Sequence, residues 1–282
     1  MMPRPVRNAL STAGLYVGAL IVAIYALTPF VWAISTSLKS EDELFGPATL
    51  LPRDPSFVNY WNVLSDGPFL LALANSLLVA GGSALLALAA GSFAAYALGR
   101  LRFRGKMPML YAVLAMTMFP QISVLSGMYE NVRALGIFGT QAAMLYAYPL
   151  FTLPFAAWVL TAFFRGLPRE IEEAAVVDGA TTAQIFVRIL LPLTVPALVT
   201  TGLLTFIVSW NEYVFALAFT LTNPQAQTVP VAIAQFAGVV EQQDPIAEIM
   251  AGAMIVTLPL VVMVLIFQRR IAAGLTAGSV KG

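Results

Sequence analysis

Histidine and cysteine are both absent from this 282-residue chain. Without histidine there is no His-based catalytic triad, and without both residues a zinc site of the usual kind has no ligands. The lack of cysteine also excludes a thiolate nucleophile and a disulfide within the chain. These absences remove the common residue-based routes to hydrolysis and to zinc chemistry.

Charge is scarce as well. Only 10% of the residues are charged and 59% are hydrophobic, whereas soluble domains are about 25% charged and about 45–50% apolar. The chain therefore has too few charged residues for a surface that faces water, and we expect it to lie in a lipid bilayer. A net charge of +1, from 15 basic and 14 acidic residues, argues against nucleic acid as a partner, because that partner requires a basic surface.

Long uncharged stretches dominate the chain. A helix needs about 20 apolar residues to cross the hydrocarbon core of a bilayer. Six stretches qualify, and they run over residues 12–34, 69–98, 107–128, 141–164, 193–221 and 249–267. The first is longer than the apolar region of a signal peptide, so we expect it to be retained. The sequence predicts an all-α integral membrane protein with six transmembrane helices in one transmembrane domain, 1–282.

The basic residues predict the orientation of these helices. With the N-terminus inside, twelve Lys and Arg residues fall in cytoplasmic segments, and three, Lys39, Arg53 and Arg133, fall outside. Cytoplasmic loops carry such an excess of basic residues. We therefore expect both termini in the cytoplasm. The outer segment 35–68 is too long for a tight turn and is rich in proline and aromatic residues, which predicts a small ordered lobe.

One cytoplasmic loop, 165–192, is more densely charged than the rest of the chain. Pro168 suits the first turn of a helix, Glu170, Glu172 and Glu173 suit its positive end, and Gly179 suits its stop. A short helix over 168–178 follows, and a second helical stretch then leads into the fifth span. The loop is either a connector on the membrane surface or a docking element for a cytoplasmic partner.

The same loop carries a motif. It has seven fixed positions with defined gaps, namely Glu173, Ala174, Ala175, Gly179, Ile189, Leu191 and Pro192. This arrangement resembles the EAA signature of the membrane subunits of ATP-binding-cassette importers. The resemblance implies the permease fold of the type I importers.

Further segments are similar to the second permease of carbohydrate importers of the maltose and trehalose type. These segments are Asn75–Ser76, Phe119–Pro120, Ser209–Tyr213 and Gly274–Gly282. The resemblance implies a prokaryotic inner-membrane complex with a second, different permease, two ATP-binding subunits and an extracytoplasmic sugar-binding protein. It implies that this chain binds no cofactor and that its partners use the ATP and Mg. The substrate would be a di- or oligosaccharide such as trehalose or maltose, or another solute such as glycerol phosphate.

The resemblance also implies roles for residues. The helix from Arg169 to Asp178 would seat in a groove of the ATPase, with Glu173 offering a carboxylate, Ala174 and Ala175 permitting close contact, and Gly179 allowing a sharp turn. The same ATPase-coupling set would include Asp178, Ile189, Leu191 and Pro192. Polar groups inside a membrane helix are often functional. We therefore expect a substrate path at Trp210, Asn211, Glu212, Tyr213 and Gln121. In the alternative interpretation, Asn211 and Glu212 make hydrogen bonds between helices or lie near the headgroups.

Two other function classes fit the residues less well. A secondary transporter would need inverted repeats and further intramembrane ionisable groups, and neither is evident. Hydrolysis by a membrane enzyme is disfavoured by the lack of histidine and of a GxSxG elbow, which leaves a carboxylate mechanism as the enzyme alternative. The glycine-rich stretch 99–107 has five residues between its glycines and Met107 after its lysine, so it does not match a phosphate-binding loop. We expect no ATPase activity in the chain itself.

Overall fold

The computed structural model describes residues 4–236 and 245–277, with side chains over 12–235 and 245–268. The described residues form helices joined by turns and loops, and none of them forms a strand. The helices are α1 Arg4–Ser37, α2 Glu41–Leu44, α3 Val58–Ser65, α4 Gly67–Gly99, α5 Lys106–Thr117, α6 Leu125–Ala134, α7 Gln141–Ala147, α8 Pro149–Gly166, α9 Glu170–Val177, α10 Thr182–Gln184, α11 Leu191–Leu193, α12 Val195–Trp210, α13 Val214–Thr220, α14 Val229–Phe236 and α15 Ile246–Ala277. Two short 3₁₀ turns, Gln121–Val124 and Pro224–Ala226, and a π-helical turn, Ile185–Leu190, complete them.

The described residues include four helices that are long and apolar enough to cross a bilayer, in α1, α4, α8 and α15. Two further candidates are bent pairs. Lys106–Thr117 and Gln121–Ala134 meet at 98°, and Thr182–Leu193 and Val195–Trp210 meet at 74°. The all-α membrane fold is confirmed, while the count of six spans and the location of the termini stay predictions.

Two stretches that read as continuous in hydropathy are broken in the structure. Within 141–164 a new helix begins at Pro149, which suits a first turn because proline has no backbone N–H to donate. Within 193–221, α12 ends at Trp210 and α13 begins at Val214. By contrast, α4 runs unbroken over 33 residues and contains all of the stretch 69–98.

The described residues divide into two compact units, and the first comprises residues 4–66, 233–236 and 245–257. Its segment 35–66, which we call the lobe, contains the short helices α2 and α3. Asn59 is buried, and its amide donates to the backbone oxygens of Ser37 and Lys39 at 2.9 Å each. The amide of Asn62 donates to Glu248 at 2.8 Å. Within this unit, α1 exposes large apolar side chains along its length.

The second unit comprises residues 67–232 and 258–277. Its centre is α4, whose small residues allow α8 to pack at close range. A Cβ atom placed on Gly91 would lie 3.1 Å from the Cβ of Ala156, and one on Gly99 would lie 3.0 Å from the Cβ of Phe164. Larger side chains at these two positions would push the helices apart. One apolar cluster surrounds Tyr148 and Phe215, and a second surrounds Tyr96 and Phe186.

Candidate functional site

The charged loop forms a short helix with a well-defined end. Glu170, Glu172 and Glu173 lie in the first turn of α9, where carboxylates complement the helix dipole. Gly179 has φ of +79°, a conformation that favours glycine. The N–H of Gly179 donates to the oxygen of Val176 at 3.0 Å, and that of Ala180 donates to the oxygen of Ala175 at 2.9 Å. This is the Schellman arrangement of a helix end, and it confirms Gly179 as the predicted stop.

The inner side of α9 is seated on its own chain. Ala175 is buried in the cluster that holds Tyr96, Phe164 and Phe186. The rings of Tyr96 and Phe186 lie 4.9 Å apart, and those of Tyr96 and Phe164 lie 6.1 Å apart. The resemblance implies close contact with a partner for both Ala174 and Ala175, but the two side chains differ in exposure. Ala175 packs inward in this cluster, whereas Ala174 faces outward.

The outer side of α9 is exposed and partly apolar. We call this surface the docking face, and its residues are Glu173, Ala174, Val176, Val177 and Asp178. Val177 is 87% exposed and Val176 is 61% exposed. Sequence reasoning did not single out these valines. The signal that could have found them is a pair of apolar, β-branched residues inside a densely charged loop.

A concave surface lies beside the docking face. It is lined by Arg100, Leu101, Arg102, Arg169, Glu172, Glu173 and Val176. Residues from the end of α4 and from α9 thus share one recess that carries three guanidinium groups and two carboxylates. Such a recess can receive a polar or charged side chain from another protein.

The second half of the motif connects α9 to the following membrane helix. Thr181 and Gln184 form a reciprocal capping box, with the Gln184 N–H donating to the Thr181 hydroxyl at 3.3 Å and the Thr181 N–H donating to Gln184 at 2.8 Å. The chain then widens into the π-helical turn. Pro192 lies in the first turn of α11, where its missing N–H is tolerated. Ile189 and Leu191 are half-buried and Pro192 is exposed, and all three lie on the connection between α9 and α12.

The candidate substrate path has a different character, because its carboxylate points into the protein. Glu212 is only 7% exposed. One carboxylate oxygen accepts from the N–H of Phe215 at 2.9 Å and the other from the N–H of Ala216 at 3.0 Å. Glu212 therefore caps the start of α13, immediately after the break in the helix.

The neighbours of Glu212 differ in exposure. Trp210 is buried and stacks on Phe206 with 5.4 Å between the ring centroids. Asn211 and Tyr213 are exposed, and the Asn211 amide donates to the oxygen of Ile207 at 2.8 Å. Gln121 is also exposed, but it lies on the 3₁₀ turn before α6. The structure thus offers three accessible polar side chains, on two different elements.

A hydrogen-bond network lies near the start of α4. It includes Asn75 and Ser76, which the sequence analysis noted only for their similarity to carbohydrate permeases. The Asn75 amide donates to the backbone oxygens of Gln225 and Gln227 at 2.8 and 2.9 Å, and its oxygen accepts from Gln141 at 2.9 Å. The Ser76 hydroxyl accepts from the N–H of Val229 at 2.8 Å. Residues 225–229 are therefore held on α4.

Comparison with known proteins places this geometry in context. Residues 87–277 match the family model of binding-protein-dependent transport system inner membrane components. The chain is 43% identical over 262 residues to a trehalose transport system permease protein of Mycobacterium tuberculosis, covering 93% of this chain and 95% of that protein. It is 42% identical over 270 residues to a trehalose/maltose transport system permease protein of Thermococcus litoralis, covering 95% of this chain and 96% of that one.

The fold is also similar to a solved structure. A chain from the crystal structure of a bacterial ABC transporter involved in the import of the acidic polysaccharide alginate superposes with a TM-score of 0.75 at 25% identity. The match covers 95% of this chain and 98% of that chain.

Proposed function

The chain belongs to the family of binding-protein-dependent transport system inner membrane components, and from this premise we propose that it forms half of the translocation pathway of an ATP-driven sugar importer. It is a multi-pass membrane protein and a permease subunit of a sugar ABC transporter, as the EAA resemblance predicted. The predicted permease fold is also confirmed. Under the proposal, the importer resides in a prokaryotic plasma membrane.

The observation that carries the coupling role is the two-sided character of α9. Its inner side is fixed to the chain by Ala175, while Val177 is left 87% exposed beside Glu173. An apolar side chain in a charged, water-facing loop gains free energy when a partner covers it. Ala174 lets that partner approach the helix backbone closely. The docking face therefore fits a groove in an ATP-binding subunit.

In this mechanism the chain itself binds no cofactor. Two ATP-binding subunits bind ATP and Mg and hydrolyse the nucleotide. Their closure displaces α9, and the membrane helices then change from inward-facing to outward-facing. The role of this chain is to receive the displacement and to convert it into opening on the other side of the membrane.

A second, different permease completes the pathway, and an extracytoplasmic sugar-binding protein delivers the substrate. The names of the relatives support trehalose or maltose, or a related di- or oligosaccharide. Among the candidate path residues, Asn211, Tyr213 and Gln121 are exposed and suit sugar hydroxyls and rings. Trp210 and Glu212 would support them by fixing the break between α12 and α13.

The test is reconstitution of the chain with its partner subunits in proteoliposomes, with labelled trehalose and labelled maltose as probes. The proposal predicts uptake that requires the sugar-binding protein and ATP on the side of the membrane that carries the ATP-binding subunits. This uptake should persist when ion gradients are collapsed. Uptake that follows a proton or sodium gradient without ATP would overturn it in favour of a secondary transporter. A panel of other glycosides and glycerol phosphate, measured in the same way, defines the substrate class.

A further inference from the structure

Arg100 is the first residue after α4, and its side chain contacts the linker before α9 and the first turn of α9. Its guanidinium pairs with the Glu172 carboxylate, and it donates to the backbone oxygens of Leu167 at 2.9 Å and Pro168 at 3.0 Å. Its side chain is only 4% exposed and that of Glu172 is 24% exposed. The planar guanidinium of Arg100 thus binds both the linker that leads into α9 and the first turn of α9 itself.

The helix behind Arg100 is suited to transmit movement. Over its 33 residues α4 is unbroken, and Gly91 and Gly99 bring it into close contact with α8. Near the opposite end of α4, Asn75 and Ser76 bind the backbone of residues 225–229. A single rigid element therefore connects α9 at one end with the segment 225–229 at the other.

The neighbouring basic residues Lys106 and Arg165 bind backbone carbonyl groups near the end of α4. Lys106 donates to the oxygens of Gly99 and Leu101 at 3.0 and 3.1 Å, and Arg165 donates to the oxygen of Leu98 at 3.4 Å. These contacts satisfy carbonyl groups at the end of α4, where cations are favoured. Among the described residues, the Arg100–Glu172 pair is the ion pair that crosses from the end of α4 to α9.

We propose that Arg100 is a positioning residue for transport: it locks α9 to α4, so that displacement of α9 is delivered along α4 to residues 225–229. This inference rests on the proposed function, because it assumes that an ATP-binding subunit moves α9. Without the lock, the linker at Leu167 and Pro168 would absorb the movement. The partner would then hydrolyse ATP with less transport for each turnover.

The experiment measures ATP hydrolysed per sugar transported in the complete reconstituted importer, with labelled trehalose and maltose as probes. The variants are Arg100→Gln, Arg100→Lys, Glu172→Gln and the double variant Arg100→Gln with Glu172→Gln. Because variants along a coupling route change coupling modestly, we expect Arg100→Gln to raise the ratio by about threefold to tenfold. Arg100→Lys keeps the charge but loses the bidentate fork, so its ratio should fall between those of Arg100→Gln and the unaltered chain.

A double-mutant cycle separates the lock from a general loss of structure. The double variant should be no worse than Arg100→Gln alone, because both changes remove the same contact. Arg104→Gln alters an exposed arginine of the same loop and serves as the matched control with an unchanged ratio. Glu172→Gln removes one charge from a partly exposed site, so it provides a readout if Arg100→Gln does not assemble.

An unchanged ratio in assembled Glu172→Gln and Arg100→Lys complexes would overturn the lock. That failure differs from failure of the proposed function, in which the unaltered chain itself would show no ATP-dependent uptake. If Glu173→Lys abolishes transport while every variant of the Arg100–Glu172 pair keeps the normal ratio, α9 is the coupling helix but α4 is not its route.

Discussion

Two glutamates in this chain have opposite surroundings. Glu173 lies on the docking face of α9 with its side chain exposed to solvent. Glu212 is 7% exposed, and both of its carboxylate oxygens accept hydrogen bonds from the backbone of α13. The first carboxylate is available to another protein, whereas the second is committed to its own chain.

The difference teaches that a carboxylate in an apolar chain has to be judged by what it contacts. An acidic residue within a predicted membrane span indicates a functional site. At Glu212 the contacts instead describe a helix cap that compensates for a broken span. Glu173, the exposed glutamate in the loop, is the better candidate for binding a partner protein.

The largest expected effect comes from reversing the exposed charge. Glu173→Lys, and Gly179→Asp at the position with φ of +79°, should abolish ATP-driven uptake while the protein remains in the membrane. A lysine repels a partner surface that is matched to a carboxylate, and aspartate strains the backbone that ends α9. Proteoliposome uptake and membrane content measure the two quantities.

Glu130→Lys is the matched control for this prediction, because it makes the same charge change at an exposed residue of α6. It should leave uptake close to that of the unaltered chain. Normal ATP-driven uptake by both Glu173→Lys and Gly179→Asp would contradict the role assigned to the docking face.

Substitution of the buried Glu212 should lower the stability of the folded chain. Glu212→Ala leaves two buried N–H groups at the start of α13 without their acceptor, so we expect a loss of about 2–4 kcal/mol. Glu212→Gln keeps one acceptor oxygen and should lose less. Thermal unfolding of the purified chain in detergent gives the ranking. If Glu212→Ala melts like the unaltered chain and loses only sugar uptake, Glu212 acts on the substrate path instead.

A smaller contrast divides the two sides of α9. Ala175→Leu forces extra volume into a packed cluster and should reduce thermal stability by about 1–3 kcal/mol. Val177→Ala removes exposed apolar surface, so stability should stay constant while affinity for the ATP-binding subunit falls by about fivefold. Melting curves and a titration with the purified subunit make this comparison. The same loss of stability in both variants would mean that the two sides of α9 are not distinct.

The smallest effect concerns Glu43 in the lobe, a carboxylate whose burial lies between those of Glu173 and Glu212. Partial desolvation opposes its ionisation, but hydrogen bonds from the Arg53 N–H at 2.9 Å and the Thr49 hydroxyl at 3.0 Å, with the charge of Lys39, hold its pKa below the ordinary value. A lowered pKa in the folded state means that this contribution is present above the unfolded-state pKa and is lost as the pH falls through the folded-state pKa. Lobe stability should therefore decline in acid.

Glu43→Gln is the comparison that isolates this effect. In the variant the acid-dependent part of the lobe stability should be smaller, as measured by hydrogen exchange of the backbone of residues 38–56 at several pH values. Identical pH profiles for the variant and the unaltered chain would show that Glu43 makes no such contribution.

Much of the helical scaffold could be predicted from apolar composition. The stretch 69–98 lies within α4, Gly67–Gly99, because in a bilayer the helix is the structure in which a segment pairs all of its backbone groups within itself. The stop at Gly179 could be predicted too, since the left-handed conformation favours glycine. Both features depend on residues that are close together along the chain.

The bends and the partners of polar groups could not be predicted in this way. Hydropathy averages about 20 residues without regard to direction, so it does not reveal the 98° and 74° bends. Arg100 meets residues 67 to 72 positions away, and Ser76 meets Val229, 153 positions away. Such contacts depend on helix packing, as does the inward orientation of Ala175 beside the outward-facing Ala174.

Accessibility of the docking face in the assembled importer tests the central claim most directly. The chain has no cysteine, so Val177→Cys introduces a single thiol on the docking face and Arg104→Cys provides an exposed control. We predict that a soluble maleimide labels both variants when the chain is alone, and that assembly with the ATP-binding subunit protects Val177→Cys but not Arg104→Cys. Equal labelling of Val177→Cys before and after assembly would contradict the claim that this face receives the ATPase.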